Sequence, residues 1–318
     1  MGVDGGYFVI KYKDGMLHKV PKDTLESVAV FGNVNITVQC TREMLEKGIS
    51  VSYLSAKGAY YGRLESTSHK NVFRLKSQVY LSDNDEFSLK LSKAILNAKI
   101  NNQFVILRRY GSAPSVDSFC VQIKDMRKKA LSADSKEELM GYEGAAAKAY
   151  FSGLSSVIDP EFAFNGRNRM PPRDPFNSML SFGYTLLLYE IYAEITNKGL
   201  SPYCGFMHED RERHPTLASD LMEEWRPVIV DSVTLSLIQG HEIHADQFTR
   251  DEETGGVYLT TDGMRKFLKK YEEKMRTPVS YIDCKRMEIR KCPWHQVGAL
   301  TAAIENSDPD KYTPIMIR

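Results

Sequence analysis

Short apolar, β-branched and aromatic runs alternate with polar turns over residues 1 to about 65. Residues 7–12 (YFVIKY) have the composition of a strand, and the Lys-Asp-Gly sequence at 13–15 supplies a turn before a second strand at 16–20. Further strands are predicted at 27–31, 50–54 and 59–64, and a short helix at 41–47 that Gly48 ends. This part of the chain is therefore predicted to be a compact β-rich domain with one helix.

Helical spacing replaces strand alternation in the rest of the chain. Between residues 87 and 110 the apolar positions that recur every three or four residues are Leu89, Ile95, Leu96, Ile100, Phe104 and Leu107. A proline-rich loop at 168–175 interrupts the helical pattern. The Asp-, Asn- and Ser-rich segment at 82–85 suggests a boundary near residue 80. The sequence thus predicts an α+β protein with a β-rich domain at 1–80 and a larger helical domain at 81–318.

Length and composition exclude several classes of protein. A chain of 318 residues, 42% hydrophobic and 26% charged, is typical of a globular protein and long enough for two domains. No run of eighteen apolar residues and no signal peptide is visible in the sequence, so neither a membrane span nor secretion is expected. The five cysteines are scattered and odd in number, which argues against a disulfide framework. We expect a cytoplasmic protein.

The charges are unevenly distributed although the formal net charge is only +1. Residues 57–129 contain 14 Lys and Arg against 6 Asp and Glu. A second basic cluster, near the C-terminus, comprises Arg265, Lys266, Lys269, Lys270, Lys274 and Arg276. Each cluster alone is typical of a solvated helix face, but two of them beside a candidate metal site favour a phosphate backbone as the partner.

Three side chains from separate segments are candidates for a divalent-metal site: Glu143, His208 and Asp220. Glu143 lies among Gly144 and three alanines, which would let a ligand approach closely. It could equally be a carboxylate placed at a helix N-terminus, where the helix dipole favours it. His208 lies in a polar loop and could simply be solvated. Two carboxylates and one imidazole suit magnesium or manganese, which polarise phosphodiesters.

Asp220 has the strongest local signal of the three. Leu217, Leu221 and Trp225 recur at four-residue spacing and mark an apolar face, and Asp220 lies at its margin. A carboxylate beside an apolar helix face that packs into the core must be paired with a cation, hydrogen-bonded or bound to metal. Pairing with Arg226 is the alternative to metal binding. The neighbouring Glu223 and Glu224 could be outer ligands or ordinary surface charges.

Arginines near these positions are candidates for contacts with phosphate. Arg167, Arg169 and Arg173 lie in the proline-rich loop, where surface salt bridges are the alternative to DNA binding.

With these residues in place, the chain resembles the family of CRISPR-associated integrases, which insert new spacers into a CRISPR array. The resemblance rests on four motifs in order: the Tyr-Glu-Gly of 142–144 with Ala147, Tyr150 and Phe151; the segment 173–184; His208; and the segment 220–227 (DLMEEWRP). Residues 99–103 with Arg108 and Arg109, and residues 58–63 with Arg63, also match the family.

The resemblance implies a fold, a reaction and partners. The fold would be a β-sandwich-like N-terminal domain followed by a helical catalytic domain, and the protein a homodimer that joins a smaller ferredoxin-like adaptation subunit. The family's metal ligands correspond to Glu143, His208 and Asp220. In the implied reaction a 3′-hydroxyl of double-stranded prespacer DNA attacks a phosphodiester at the edge of the repeat, and water in its place would nick DNA.

The resemblance also leaves questions open. Family members usually have a strand before the segment matching 7–12, and this chain begins almost directly on it, so we expect the first sheet to lack a strand. Two other functions compete with spacer integration. One is a mobile-element (casposon-like) integrase of the same fold, and the other is a non-catalytic DNA-binding scaffold.

Overall fold

The computed structural model describes residues 1–56, 58–66, 70–111, 114–280 and 286–318. Two compact units make up the chain, Met1–Lys70 and Asn71–Arg318. The predicted α+β class, with strands first and helices after, is confirmed. In the described part of the chain no helix is long and apolar enough to span a bilayer.

The smaller unit begins with a three-stranded antiparallel sheet in the order β1–β2–β3. These strands are β1 (Gly2–Asp4), β2 (Tyr7–Lys11) and β3 (Leu17–Pro21). The predicted hairpin of β2 and β3 is therefore confirmed. The expectation that no strand precedes β2 is wrong, because all three residues of β1 pair with residues 7–9 of β2. That strand is only three residues long, which explains why its pattern was not visible in the sequence.

A second three-stranded sheet completes this unit. It contains β4 (Ser27–Phe31), β5 (Ser50–Leu54) and β6 (Tyr60–Leu64) in that order. β4 and β5 are parallel, and the helix between them, α1 (Val38–Glu46), provides the crossover that parallel pairing requires. The side chains at the centre of its core are Phe8, Val30, Cys40, Met44, Ile49 and Val51.

Helices build the larger unit. They are α2 (Val72–Ser82), α3 (Asp85–Tyr110), α4 (Asp117–Ser132), α5 (Lys136–Ser155), α6 (Pro175–Asn197), α7 (Thr216–Met222), α8 (Ser232–Gln239), α9 (Thr261–Met275) and α10 (Cys292–Glu305). Two short antiparallel pairs accompany them, β7 (Phe248–Arg250) with β8 (Val257–Leu259), and β9 (Pro278–Ser280) with β10 (Arg286–Glu288).

Helix α2 belongs to the larger unit, so the division falls before this helix rather than near residue 80. The buried Gln78 donates through Nε2 to the carbonyl oxygens of Ser201 (2.8 Å) and Cys204 (2.7 Å). The polar segment at 82–85 is instead a break between two helices, because the Asn84 side chain accepts from the Phe87 N–H and caps α3.

Close packing of α6 positions the chain that follows α7. A Cβ on Gly183 would lie 2.5 Å from Val230 Cγ1, so only glycine permits this approach. Val230 belongs to a stretch of π-helix, Pro227–Asp231, of the kind that recurs at functional sites. The packing brings Tyr184 of α6 beside Asp231.

Candidate metal centre

A cavity of 750 Å³ in the larger unit is lined by two of the three predicted metal ligands, Glu143 and His208. Its acidic lining residues are Glu143, Glu223 and Asp231, and His208 and His214 add two imidazoles. The Lys and Arg residues that line it are Lys99, Lys148, Arg167, Arg169 and Arg226. The cations outnumber the carboxylates, so the cavity suits an anionic ligand whose charge a metal would help to neutralise.

Glu143 lies in the interior of α5. The helix begins at Lys136, with Ser135 as its cap, so Glu143 is about two turns from the N-terminus. The helix dipole acts over the first turn, and it therefore does not explain this carboxylate. Among the described residues, a Cβ on Gly141 or Gly144 would meet no atom within 4 Å beyond its own helix, whereas the Glu143 side chain is 13% exposed.

Lys99 of α3 joins two of the carboxylates. Its Nζ lies 2.5 Å from Glu143 Oε1 and 2.5 Å from Glu223 Oε2, and its side chain is 9% exposed. Burial alone would lower the pKa of Lys99, but the charges of Glu143 and Glu223 outweigh it and raise that pKa. The ammonium is therefore a fixed positive charge between two acids.

Glu223 is a buried carboxylate that stays ionised. Burial would raise its pKa, but the charges of Arg226 and Lys99 lower the pKa to about 2. Arg226 Nη1 lies 2.8 Å from Glu223 Oε1. The other oxygen, Oε2, lies 2.5 Å from Lys99 Nζ, and no other donor among the described residues reaches it. That oxygen is suited to a metal.

His208 is oriented by Asp220. The imidazole Nδ1 lies 2.7 Å from Asp220 Oδ1, which leaves Nε2 for the cavity. Burial works against the charged imidazole, but the hydrogen bond and the charge of Asp220 raise the pKa of His208. A carboxylate on the far nitrogen of a histidine ligand is a common arrangement around protein-bound metals.

Both oxygens of Asp220 are already used by the protein. Oδ2 accepts from the N–H groups of Phe206 (2.8 Å) and Met207 (3.0 Å), and Oδ1 accepts from the N–H of His208 (3.2 Å). The residue is fully buried and does not line the cavity. These bonds give Asp220 a positioning role for the loop and the His208 ring, and its direct binding of a metal stays a prediction.

Gly205 allows this wrapping of the loop around Asp220. A Cβ at that position would lie 2.5 Å from Thr216 Cγ2 and 2.8 Å from Asp220 Oδ2. Helix α7 holds the carboxylate from the other side, and its residues from Thr216 to Met222 are all buried. The loop and the helix together fix the direction of the His208 ring.

Glu224 faces away from the cavity. Its Oε1 accepts a hydrogen bond from the Tyr312 hydroxyl, and its Oε2 accepts from the Ile315 N–H at 2.8 Å. Burial raises the pKa of Glu224 to about 8, against the lowering effect of these bonds. Glu224 is thus neither an outer ligand nor a surface charge, but part of the packing of the C-terminal segment.

Tyr184, Asp231 and two arginines line the cavity together, and Tyr150 supports Asp231 from the core. Asp231 accepts from the hydroxyls of Tyr150 (2.8 Å) and Tyr184 (2.5 Å). Burial raises the pKa of Asp231 to about 6, although both bonds oppose the rise. The guanidinium carbons of Arg167 and Arg226 lie 5.3 Å and 4.9 Å from the Tyr184 ring centroid.

The arginines predicted to contact DNA lie in different places. Arg167 and Arg169 line the cavity, and Arg167 Nη1 donates to Asn177 Oδ1 at 2.7 Å. Arg173 is exposed and donates to the Thr254 carbonyl, outside the cavity lining. Arg108 and Arg109 end α3 and also lie outside that lining. Arg63 lies on β6 of the smaller unit.

Lys99, Gln103 and His214 line the cavity but were not singled out as site residues from the sequence. Lys99 and Gln103 interrupt the apolar face of α3, and a buried charge on such a face requires a partner. That signal could have identified them. His214, whose Nε2 lies 3.0 Å from Ser219 Oγ, has no comparable signal in its polar loop.

The donor set fits a divalent metal without forming a complete ligand shell. Within the described ranges, no three His, Cys, Asp or Glu side chains converge in a geometry that would hold an ion. Lys99 between the carboxylates accounts for that. The Glu143 and Glu223 carboxylates, whose shared contact is the Lys99 ammonium, and the aimed imidazole of His208 supply the oxygen and nitrogen donors that magnesium and manganese accept.

Comparison with known proteins identifies relatives along nearly the whole chain. The family model for CRISPR associated protein Cas1 matches residues 1–273. A CRISPR-associated endonuclease Cas1 of Mycobacterium tuberculosis (strain CDC 1551 / Oshkosh) is 35% identical over 299 residues, which cover 93% of this chain and 88% of that protein.

Two solved structures share the fold. A chain of a Cas6-RT-Cas1--Cas2 complex superposes with a TM-score of 0.84 at 24% identity, over 99% of this chain and 35% of that longer chain. A casposase bound to integration product superposes with a TM-score of 0.83 at 23% identity, over 99% of this chain and 92% of the casposase. At these identities the superpositions show a common fold and no more.

Proposed function

The chain belongs to the family of CRISPR-associated protein Cas1, and from this membership and its cavity we propose that it is a metal-dependent DNA endonuclease and integrase of spacer acquisition. It joins the 3′-hydroxyl ends of incoming double-stranded DNA to phosphodiesters of a CRISPR repeat. The observation that carries the proposal is one cavity in which Glu143, Glu223 and His208 face five Lys and Arg side chains.

The ligands that we propose for the metal are Glu143, His208 and Glu223. Magnesium or manganese bound there would polarise the phosphodiester and lower the pKa of the attacking hydroxyl. We assign Asp220 to positioning, since its oxygens hold the loop and the His208 ring. Glu223 replaces Asp220 in the proposed set because it lines the cavity and its Oε2 is held by the Lys99 ammonium rather than by backbone N–H groups.

The protein's own side chains bind and orient the reacting groups. Lys148 and Arg169 line the cavity as exposed cations and are placed to contact phosphate oxygens. The fixed charges of Arg167 and Arg226 lie beside Tyr184 and offset negative charge that develops at phosphorus. In the reaction the 3′-oxygen forms a bond to phosphorus as the bond to the leaving 3′-oxygen breaks, so one phosphodiester replaces another.

The partners follow from family membership. We propose that the chain forms a homodimer and assembles with a small ferredoxin-like subunit of the Cas2 type, a proposal supported by the structural relative from a Cas6-RT-Cas1--Cas2 complex. Double-stranded prespacer DNA and the CRISPR repeat are the proposed substrates.

The two competing functions have less support. The casposase match has 23% sequence identity, whereas the Mycobacterium tuberculosis endonuclease has 35%. A scaffold with a decayed site would have no reason to keep two carboxylates paired with one buried lysine and an oriented imidazole in one cavity.

A strand-joining assay tests the proposal. The full chain, with its small partner subunit, a prespacer duplex and a supercoiled repeat plasmid, is assayed with magnesium, with manganese and with a chelator. We expect metal-dependent joining that Glu143→Gln and His208→Ala each reduce by at least about 100-fold, with unchanged chromatographic size. Joining by either variant at the parental rate would refute the site.

A further inference from the structure

The buried Lys99 ammonium lies between two carboxylates that belong to different elements of the fold. Glu143 comes from α5 and Glu223 from the turn after α7, and each places one oxygen 2.5 Å from Lys99 Nζ. The two oxygens therefore cannot be farther apart than twice that distance. Two carboxylates so close and so little exposed repel each other unless a positive charge lies between them.

A divalent ion bound by the same two oxygens would need the same space. Ligand oxygens surround magnesium at about 2.0–2.1 Å, closer than they approach the Lys99 nitrogen. The ammonium and the ion cannot both lie between Glu143 and Glu223. The Lys99 ammonium and a divalent ion would therefore compete for this space both sterically and electrostatically.

We infer that the Lys99 ammonium occupies the place of the metal ion when no metal is bound, and that it must leave at least one carboxylate for the metal to bind. The inference rests on the proposed assignment of Glu143 and Glu223 as ligands. Lys99 stabilises the fold of the site by neutralising its acids. It also weakens metal binding, which keeps the ion exchangeable.

The cavity offers the displaced ammonium another partner. Gln103 lies one helical turn after Lys99 on α3, and both line the cavity. Its side-chain Oε1 is buried and has no hydrogen-bond partner among the residues that the structure describes. An ammonium that swings along the helix would satisfy this acceptor.

Direct metal-binding measurements on the full chain test the inference. Free Mn²⁺ is followed by electron paramagnetic resonance in titrations of the parent, Lys99→Met and Lys148→Met. Lys148 is the matched control, since it lines the same cavity but has no ion pair with either carboxylate in the described structure. Thermal midpoints are recorded with and without Mn²⁺.

We expect Lys99→Met to bind Mn²⁺ at least about tenfold more tightly than the parent, and Lys148→Met to change the Kd by less than about threefold. The Lys99 variant should also lose thermal stability without metal and regain it with Mn²⁺. Equal or weaker binding by Lys99→Met, or the same gain for both variants, would overturn the inference. If the parent binds no Mn²⁺, or Glu143→Gln and Glu223→Gln bind it as tightly as the parent, the proposed metal site itself fails.

The parent protein provides a second test that needs no variant. Amine acylation followed by mass spectrometry measures the reactivity of Lys99, with Lys90 on the same helix as an exposed reference. We expect Mn²⁺ to raise the labelling of Lys99 and to leave Lys90 unchanged. Labelling of Lys99 that stays constant or falls would contradict its displacement.

Discussion

Glu223 and Glu224 are adjacent in the chain and equally buried, yet they belong to two different regions of the molecule. Glu223 lines the cavity and lies between Arg226 and Lys99. Glu224 faces the C-terminal segment, where a tyrosine hydroxyl and a backbone N–H bind it. The pKa of Glu223 falls to about 2 and that of Glu224 rises to about 8.

The difference shows what turns a buried acid into a candidate ligand. Adjacent residues in a helical backbone point in directions about 100° apart, so the two side chains meet different surroundings. Fixed cations keep Glu223 charged, whereas Glu224 has only neutral donors. A metal would bind the charged carboxylate. The neutral one contributes to packing.

The largest expected effect is on the rate of DNA joining, which should distinguish Glu223 from Glu224. Glu223→Gln should lower the rate of DNA joining by at least about 100-fold, because it removes a charged ligand. Glu224→Gln should stay within about threefold of the parent, since the side chain is neutral and remote from the cavity. Both rates come from the plasmid assay at saturating magnesium. Equal losses in the two variants would remove the distinction between the regions.

Substitution of Asp220 should weaken metal binding less than substitution of Glu223. We expect Asp220→Asn to weaken Mn²⁺ binding by about 10–100-fold, because a partner of a histidine ligand acts through that ligand. Mn²⁺ titration of Asp220→Asn and Glu223→Gln side by side measures the difference. Complete loss of binding in Asp220→Asn, with Glu223→Gln unaffected, would restore Asp220 as a direct ligand.

The pH dependence of stability, compared between the parent and Glu224→Gln, tests the Glu224 region. Unfolding exposes a carboxyl that releases its proton near 4.5, while the folded protein retains it until about 8. The free energy of unfolding should therefore fall as pH rises through this window. Glu224→Gln should flatten that dependence in urea titrations. An unchanged slope would show that Glu224 is ionised in the fold.

The contribution of Glu223 to stability should depend on pH in the opposite direction. Its folded pKa lies near 2, below the ordinary 4.5, so its stabilising contribution is present above pH 4.5 and is lost as the pH falls toward 2. A Glu223→Gln variant should lose less stability than the parent over that acid range.

The smallest effect concerns the cationic wall of the cavity. Arg169 lines the cavity and is exposed, whereas Arg173 from the same loop is exposed outside it. Arg169→Ala should weaken binding of duplex DNA several-fold and reduce the salt dependence by about one phosphate contact. Arg173→Ala is the matched control and should change neither. Fluorescence anisotropy at several salt concentrations reads both quantities.

Much of the fold was readable from local patterns. Every predicted strand of the smaller unit is present, because alternation and turn residues are local signals. The parallel pairing of β4 with β5 was not predictable in the same way, since it depends on where α1 returns the chain. The division before α2 depends on Gln78 and its contacts more than 120 positions away in the sequence.

The candidate site could be predicted only in part from the sequence. Glu143 and His208 were identified by residue type and motif order, and both line the cavity. The roles that we propose for Asp220 and Glu223 could not be predicted, because they depend on which side of α7 the loop 205–208 wraps. Lys99 carried a signal as a charge on the apolar face of α3, but its two partners come from elsewhere in the chain.

The central claim is that Glu143, His208 and Glu223 hold one metal ion. An anomalous-difference map from a crystal of the full chain soaked in Mn²⁺ tests it most directly. We predict a single peak bounded by these three side chains, with Asp220 still hydrogen-bonded to His208 and Lys99 Nζ moved away. A peak bound to Asp220, or one that leaves Glu223 paired with Lys99, would contradict the account.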